Sequence, residues 1–418
     1  MVENTPIRSG RRWLVIISFG IGALILFCAL LPSIMSTQWG KGRALGLVTP
    51  HLPGEMRVES WSLSWLGEQR LDGVVYTDPQ SGMQVDAAGL TVSKGLSSFL
   101  LDRGNLGTIT LSQPSIQITL PEPSQEDEKT SQTSQPVKSP PQDTLPESQP
   151  PSAPGAPAIA FPPISGLLLV EQGSIAVVRS GATAEQIAKD VTMKIDVTSA
   201  TDPITYELAL ASSKGTGVVS GQGQVLIGTT GIELSSIQPA GELRITDWEI
   251  SQLLGLAAAY AALPTGDGIL NSTINFGGEL NQGVNLDGTI DLTNLQLSGG
   301  PLATDQPSVN KATIDFSAVT RTETVELSSL KLSSPLASGN LTATIGDGGA
   351  VQFNSDLRID LPEVSRQFPH SLGLQEGLKI SRGMLELQAD TTIKQGKSRF
   401  TTTASIAGLA GDRGGKHI

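Results

Sequence analysis

The stretch GTITLSQPSIQITL, residues 107–120, decides the fold class because its apolar and polar residues alternate. Thr, Ser and Gln occupy one side of the extended chain. The other side carries the apolar residues Ile109, Leu111, Ile116, Ile118 and Leu120. A period of two is typical of a β-strand with one apolar and one polar face. Pro114 separates the two halves of the stretch and predicts a turn or a sheet edge there.

The same alternation covers most of the chain. It extends from Trp61 to Leu120 and returns through residues 164–418, for example in GVNLDGTIDLTNLQLSG, which begins at Gly283. Charged residues are only 16% and aromatic residues 4% of the sequence, with 46 Gly, which suits many short strands joined by tight turns. The sequence therefore predicts a mainly β protein with a long antiparallel-type sheet and a few short helices. Hairpin turns are predicted at the Asp-Gly pairs 267–268, 287–288 and 347–348.

One internal repeat is visible in the second half of the chain. LRITDWEIS, from Leu243, is similar to LRIDLPEVS, from Leu357, and GILNSTINF, from Gly268, is similar to GMLELQADT, from Gly383. In the first copy the interval SQLLGLAAAYAALP predicts a short apolar helix that ends at Pro264. A recurring unit of one helix and several strands predicts an array of similar sheet units.

The amino-terminal segment predicts a membrane anchor. Residues 13–31, WLVIISFGIGALILFCALL, carry no charge, and a helix of that length is roughly 28 Å long, close to the ~30 Å hydrocarbon core of a bilayer. We predict a spanning helix at residues 13–35 and a cytoplasmic tail at residues 1–12, whose arginines keep it inside and send the carboxyl-terminal bulk across the membrane. The alternative is a cleaved signal peptide, but its apolar region is usually only about 7–15 residues and ends in a small-residue cleavage site.

Composition divides the exported part into three segments. Residues 36–120 form an amino-terminal β region, and residues 164–418 form a repetitive β region. Between them, residues 121–163 consist mainly of Pro, Ser, Gln and acidic residues. Such a segment buries too little apolar surface to offset the entropy of ordering, so we predict a disordered linker or loop. The alternative is a proline-rich tract that binds a partner.

Composition and motifs also argue against several classes of function. A net charge of −12 and a pI of about 4.8 argue against nucleic acid, whose binding needs clustered Lys and Arg. The one cysteine, Cys28, lies inside the apolar segment, and the three histidines are far apart, so neither a disulfide framework nor a zinc pattern is present. No nucleotide, hydrolase or metalloprotease motif occurs. We therefore expect no enzyme activity, no metal and no cofactor.

The apolar side of the strands is the candidate functional surface. It closes against a second layer in an ordinary sandwich, or it stays open as a trough that solvates acyl chains at about 0.8 kcal/mol per buried CH₂. The alternation alone favours neither. The candidate lining residues are Val74, Val85, Leu90, Val92, Ile109, Leu111, Ile116, Ile118, Leu120, Ile195, Val197, Leu208, Leu210, Ile274, Phe276, Ile290, Leu292, Ile314 and Phe316.

A series of motifs follows the apolar segment. They are WSLSWLG at residues 61–67, LDGVVYTDP at 71–79, DAAGLTV at 86–92, LSSFLL at 96–101 and GTITLSQPSIQI at 107–118. This series resembles the amino-terminal part of the AsmA-like family, which includes TamB. The resemblance covers about residues 10–120 and, more weakly, residues 164–410. It implies anchoring in the inner membrane of a diderm bacterium, a periplasmic body, and a repeating β-groove curled into a taco-shaped trough, as in bridge-like lipid-transfer proteins.

Three functions are consistent with these features. The favoured one is an inner-membrane-anchored periplasmic protein whose groove binds phospholipid or other acyl chains and assists lipid transport and outer-membrane biogenesis. The second is a closed β-sandwich that acts as a scaffold for an outer-membrane assembly partner and binds no lipid. The third is a cell-wall or polysaccharide enzyme, which requires carboxylates that converge in a cleft.

Overall fold

The computed structural model describes residues 35–37, 42, 53–102, 104–120, 164–179, 183–199, 201–227, 236–257, 263–321, 324–346, 350–374, 378–394, 397–413 and 416–417. The predicted tail at residues 1–12, all of the predicted anchor at residues 13–35 except its last residue, and the predicted linker at residues 121–163 lie outside these ranges. Within them, no helix combines the length and the apolar character needed to cross a bilayer.

The described chain is mainly β, as predicted. The strands of the first half are β1 (Glu55–Ser62), β2 (Gln69–Asp78), β3 (Met83–Val92), β4 (Asn105–Ser112), β5 (Ser115–Thr119), β6 (Ser165–Val178), β7 (Glu185–Val197), β8 (Ile204–Ser212), β9 (Val218–Leu226) and β10 (Gln238–Glu249). Those of the second half are β11 (Thr265–Glu279), β12 (Gly283–Ser298), β13 (Ser308–Thr320), β14 (Val325–Ser333), β15 (Ala337–Gly346), β16 (Ala350–Asp360), β17 (Leu378–Lys394), β18 (Lys397–Arg413) and β19 (Lys416–His417).

All of these strands belong to one 19-stranded sheet. It is a meander in which each strand pairs with its neighbours in sequence, with one exception. Strands β4 and β5 lie end to end between β3 and β6, and their pairing with β6 is parallel. At this point the sheet departs from the predicted antiparallel type. Parallel neighbours need a crossover of a dozen or more residues, and the proline-rich segment 121–163 lies at this connection.

Three short helices interrupt the meander at regular positions. Helix α1 (Leu96–Leu101) follows β3, α2 (Ile250–Ala257) follows β10, and α3 (Leu361–Gln367) follows β16. The second unit, β11 to β16, contains six strands. The first unit, β4 to β10, has the same width, because β4 and β5 share one place beside β6.

The structure confirms the repeat. Each of the two similar sequences forms a strand end followed by a helix, and each following strand carries a glycine with positive φ, 149° at Gly268 and 146° at Gly383. The predicted helix of the first copy is confirmed as far as Ala257, while residues 258–262 lie outside the described ranges. The repeating unit is therefore a sheet segment that ends in a helix.

Two of the three predicted Asp-Gly hairpins are wrong, and the third, 347–348, lies outside the described residues. Gly288 is in the middle of β12, where a Cβ would stand 2.8 Å from Cζ of Phe316. Gly268 lies within β11 at an irregularity beneath Ile250, whose Cδ1 would be 3.1 Å from an added Cβ. Both glycines leave room for a neighbouring side chain instead of forming a turn.

One compact core is present near the amino-terminal edge of the sheet. Val58, Val74 and Ala87 are buried there, and around them pack Met56, Trp61, Leu71, Leu90 and Leu111. Because Leu90 and Leu111 share this cluster with Val74, these three candidate residues lie on the same side of the sheet. That side is called the apolar face below.

Candidate functional site

The strand registers place the candidate residues on the apolar face. Residues that pair across neighbouring strands point to the same side of a sheet. Four direct pairs join candidate residues: Leu90 with Leu111, Val92 with Ile109, Val85 with Ile116, and Ile290 with Ile314. The other candidates join these through intervening pairs on the same side, such as Leu208 with Met193 and Ile274 with Leu243.

The apolar face also contains residues that the sequence analysis did not select. In β6, Leu168 pairs with Ile109 and Val170 pairs with Leu111. The run LLLV hides the two-residue period there, so alternation could not assign the strand. The face continues from β14 to β17 through Leu332, Leu357 and Leu387, which follow one another across the sheet by way of Gly339.

Left-handed residues keep the face apolar along each strand. Non-glycine residues with positive φ interrupt five strands or strand junctions, at Gln113 (49°), Gln172 (55°), Asp190 (52°), Asp247 (50°) and Asn294 (53°). Such a residue inserts a β-bulge, which shifts the side-chain alternation by one. In β12, for example, the apolar residues are even-numbered up to Leu292 and odd-numbered from Leu295. The odd-to-even change in GTITLSQPSIQITL has the same cause.

The apolar face is only partly shielded. Val74 is buried, Ile118 is 37% exposed, and the other candidates are half-buried. Among the described residues, the largest side chain with less than 2% exposure is that of Ser212. The face is therefore not sealed by tightly packed large side chains, as a sandwich core is.

Aromatic rings cover a row of glycines on this face. A Cβ added to Gly223 would lie 2.7 Å from Cζ of Tyr206, and one added to Gly241 would lie 3.0 Å from Cζ of Phe276. These residues follow one another in register across β8 to β11. The glycines let the two rings lie flat over the strands. Burial raises the pKa of Tyr206, whose ring rests on this surface.

The opposite face is polar, and its carboxylates bind neighbours across the strands. Thr289 Oγ1 donates to Asp315 Oδ1 at 2.8 Å, and Thr313 Oγ1 donates to Asp291 Oδ1 at 2.6 Å. Arg358 pairs with Glu386 at 3.2 Å with both side chains exposed, so that ion pair contributes little stability. Among the described residues, no three His, Cys, Asp or Glu side chains are grouped to hold a metal ion.

Two concavities lie away from the candidate residues. A cavity of about 660 Å³ lies beside helix α2 and is lined by Leu254, Pro264 and Leu297, among others. A depression of about 410 Å³ lies on the polar face of β15 to β18, between Asn354 and Gln388. The first has a mixed lining, and the second is a short depression among Asn, Asp, Gln and Thr residues, whereas an acyl chain needs continuous apolar surface. The apolar face remains the better candidate because its apolar rows continue from strand to strand.

Helix α2 lies against the ends of the strands beside the apolar face. Ile250 packs on Gly268, and Gln252 exchanges hydrogen bonds with the buried Ser212 at 2.8–3.0 Å. Arg179 Nη2 donates to the carbonyl oxygen of Gly255 at 2.6 Å. The helix is therefore tied to β8 and to the chain after β6, and it closes one side of the face.

No family model, curated protein or solved structure matches this chain.

Proposed function

We propose that this chain is an inner-membrane-anchored, periplasmic protein whose apolar face binds acyl chains and assists the movement of phospholipid toward the outer membrane. One observation carries the proposal: an apolar face that continues from strand to strand and is half-buried, with no packed second layer among the residues that the structure describes. In this proposal the sheet curves so that the apolar face forms the inside of a trough.

The chemistry of the face suits an acyl chain. Its side chains are mainly Leu, Ile and Val, and its glycine positions widen the surface beneath the rings of Tyr206 and Phe276. Each methylene that leaves water for such a surface contributes about 0.8 kcal/mol. The binding needs no catalytic group, so the face selects for apolar chains by burial alone.

A membrane location for the amino-terminal end has separate support. Leu66, Leu100 and Leu101 are 88%, 64% and 89% exposed. Helix α1 and the residues before β2 are held together, because Ser97 Oγ donates to the carbonyl oxygen of Trp65 at 2.6 Å. Neighbouring exposed leucines favour contact with a membrane surface or another apolar partner. The apolar residues 13–31 and the resemblance to the AsmA-like family also favour a membrane location for this end of the chain.

The second candidate, a closed sandwich that binds no lipid, predicts a dry core of large buried side chains. The half-buried state of Leu208, Ile274 and Ile314 favours the open face instead.

A matched pair of substitutions in β8 tests the proposal. Leu208 lies on the apolar face opposite Met193 and Gly221, and Ala209 lies on the other face opposite Thr192 and Ser220. Both are half-buried. The purified full chain and its Leu208→Asp and Ala209→Asp variants are compared by mass spectrometry of co-purified lipid and by thermal unfolding. We expect lipid with the parent and with Ala209→Asp, but much less with a still folded Leu208→Asp.

The opposite results reject the proposal. If the parent carries no lipid, the face is not an acyl-chain site. If Leu208→Asp unfolds while Ala209→Asp does not, the face is a packed core, as the sandwich scaffold requires.

A further inference from the structure

Among the residues that the structure describes, two buried side-chain polar atoms on the apolar face have no hydrogen-bond partner. They are Nε1 of Trp248 and Oγ of Ser272, in residues that are only 7% and 6% exposed. A buried, unsatisfied polar group destabilises a protein by about 1–3 kcal/mol. Most such groups in proteins have a partner, and an orphan needs an explanation.

The two residues lie in adjacent rows of the same face. Ser272 in β11 is opposite Ile245 in β10 and Ile290 in β12. Trp248 in β10 is opposite Leu270, which is on the same side of β11 as Ser272. The left-handed Asp247 turns Trp248 to this side. Both orphan atoms are thus set among apolar side chains, and Trp248 lies two residues before helix α2 begins.

Gly217 makes room for the indole ring of Trp248. A Cβ on Gly217 would lie 2.9 Å from Cα and 3.2 Å from Cε3 of Trp248, so only glycine fits under it. The ring is therefore held by its surroundings, although its N–H has no acceptor.

The chemistry of the two atoms limits what binds them. An indole N–H donates only, and a serine hydroxyl both donates and accepts. An acceptor satisfies either atom, and the apolar surroundings require that it be carried by an apolar molecule. An acyl chain with its ester or amide carbonyl has both properties, whereas a plain hydrocarbon lacks the acceptor.

We infer that Trp248 and Ser272 form a binding station for the acyl carbonyl of a lipid, at the point where the apolar face meets helix α2. The inference rests on the proposed function and makes it more specific, because the face then distinguishes acyl esters and amides from alkyl chains. Both atoms are inaccessible to water without ligand, so an entering chain displaces the side chains that cover them.

A competition between two lipids tests the station. The full chain in mixed micelles is given equal amounts of a dioleoyl diester phosphatidylcholine and its dialkyl ether counterpart, and the bound ratio is read by mass spectrometry. We expect about a fivefold preference for the diester, the effect of about one net hydrogen bond. Trp248→Phe and Ser272→Ala should each bring the ratio toward one, with total binding retained.

Thermal unfolding without lipid provides the second readout. Because Ser272→Ala removes an unsatisfied polar atom and little volume, we expect it to raise Tm. Trp248→Phe also removes part of a buried ring, so its readout is the lipid ratio alone. Two controls are matched to them. Trp61 donates its N–H to the carbonyl oxygen of Met35 at 2.7 Å, so Trp61→Phe should lower Tm. Ser355 lies on the same face, in the row of Leu341 and Ala389, and Ser355→Ala should leave the lipid ratio unchanged.

The outcomes separate the two proposals. If neither lipid binds, the proposed function fails. If both bind equally to the parent, or if the preference survives in both variants, the carbonyl station is wrong while the acyl-chain face stands. A lower Tm for Ser272→Ala means that its hydroxyl is already hydrogen-bonded, and it also overturns the inference.

Discussion

At two junctions of the chain a short helix packs against the start of the next strand, and different side chains hold the helix in each. The first helix junction consists of the end of β10, helix α2 and the start of β11. The second consists of the end of β16, helix α3 and the start of β17. In both, the first residue of the helix packs on a glycine of the next strand: Ile250 on Gly268, and Leu361 on Gly383.

The means of holding the helix differ between the junctions. Helix α2 has no acidic residue in its first turn and no basic residue in its last, and Arg179 and Gln252 tie it to the preceding unit. Helix α3 is capped by Asp360 and carries Glu363 and Arg366 as an internal ion pair. The shared element is therefore the glycine backbone beneath the helix, while the polar contacts are specific to each copy.

The largest effect should come from the shared glycines. An alanine at a φ near 150° is strained by about 1–3 kcal/mol. At Gly268 the added Cβ also meets the backbone of β12, 3.1 Å from Cα of Leu295, whereas at Gly383 it meets the movable side-chain ends of Leu409 and Leu361 at 3.1 and 3.2 Å. We expect Gly268→Ala to lower the free energy of unfolding by about 3 kcal/mol and Gly383→Ala by about 2 kcal/mol, measured in urea. Equal, small effects would show that the junctions tolerate side chains.

The tie between Arg179 and helix α2 should have the next largest effect. Removing a charged donor from the carbonyl of Gly255 costs about 1–2 kcal/mol at this partly exposed site. Its counterpart in the second junction is Gln367, whose Oε1 accepts from the backbone N–H of Ser308 at 2.6 Å. By hydrogen exchange, we expect Arg179→Ala to release α2 alone and Gln367→Ala to release α3 alone. If either variant released both helices, the junctions would be coupled, contrary to their separate contacts.

The fold class was predictable because the alternation of apolar and polar residues identifies each strand from its own sequence. Residues such as Ile290 and Ile314 were placed on the apolar face from their own strands, and the register pairs them. The parallel pairing of β5 with β6 was not predictable. The sequences of the two strands, SIQIT and SGLLLVEQGSIAVV, contain no signal for which strand pairs with which or in which direction. The Asp-Gly pair at residues 287–288 led to a wrong prediction of a hairpin turn. In the sequence, a glycine that accommodates the ring of Phe316 cannot be distinguished from a glycine that forms a turn.

The candidate face was predictable in part for the same reason. Alternation identifies apolar sides, but a left-handed residue such as Asn294 or Gln172 shifts the alternation without any motif of its own. The signal that finds such a bulge is a change of apolar parity around a polar residue, as in LTNLQL of β12. The orphan atoms of Trp248 and Ser272 carry no sequence signal, because their lack of partners depends on the surrounding strands.

Asp305 gives the second junction a dependence on pH. It is 2% exposed and accepts from the backbone N–H of His370 at 3.0 Å and of Ser371 at 2.8 Å. Burial raises its pKa, but the hydrogen bonds from Ser371 and His370 outweigh burial and leave the pKa below its ordinary value. A depressed carboxylate pKa stabilises the fold above the pKa of the unfolded state, about 4, and the stability is lost as the pH falls through the folded value.

We therefore expect acidification below about pH 4 to loosen the chain after α3, as followed by hydrogen exchange at several pH values. Asp305→Asn should lower the urea midpoint at neutral pH by less than Arg179→Ala and flatten this acid dependence. An unchanged acid profile in Asp305→Asn would assign the dependence to other carboxylates.

The smallest effect should come from the helix cap of the second junction. Oδ1 of Asp360 accepts from the backbone N–H of Glu363 at 2.9 Å, and removing such a cap costs about 1 kcal/mol. In the first junction Glu249 directly precedes the helix, and α2 has no acidic residue in its first turn. We expect Asp360→Ala to lower the free energy of unfolding by about 1 kcal/mol and Glu249→Ala to change it by less than about 0.5 kcal/mol. If the two substitutions cost the same, capping would not distinguish the junctions, and the difference between them would rest on the ties of Arg179 and Gln367 alone.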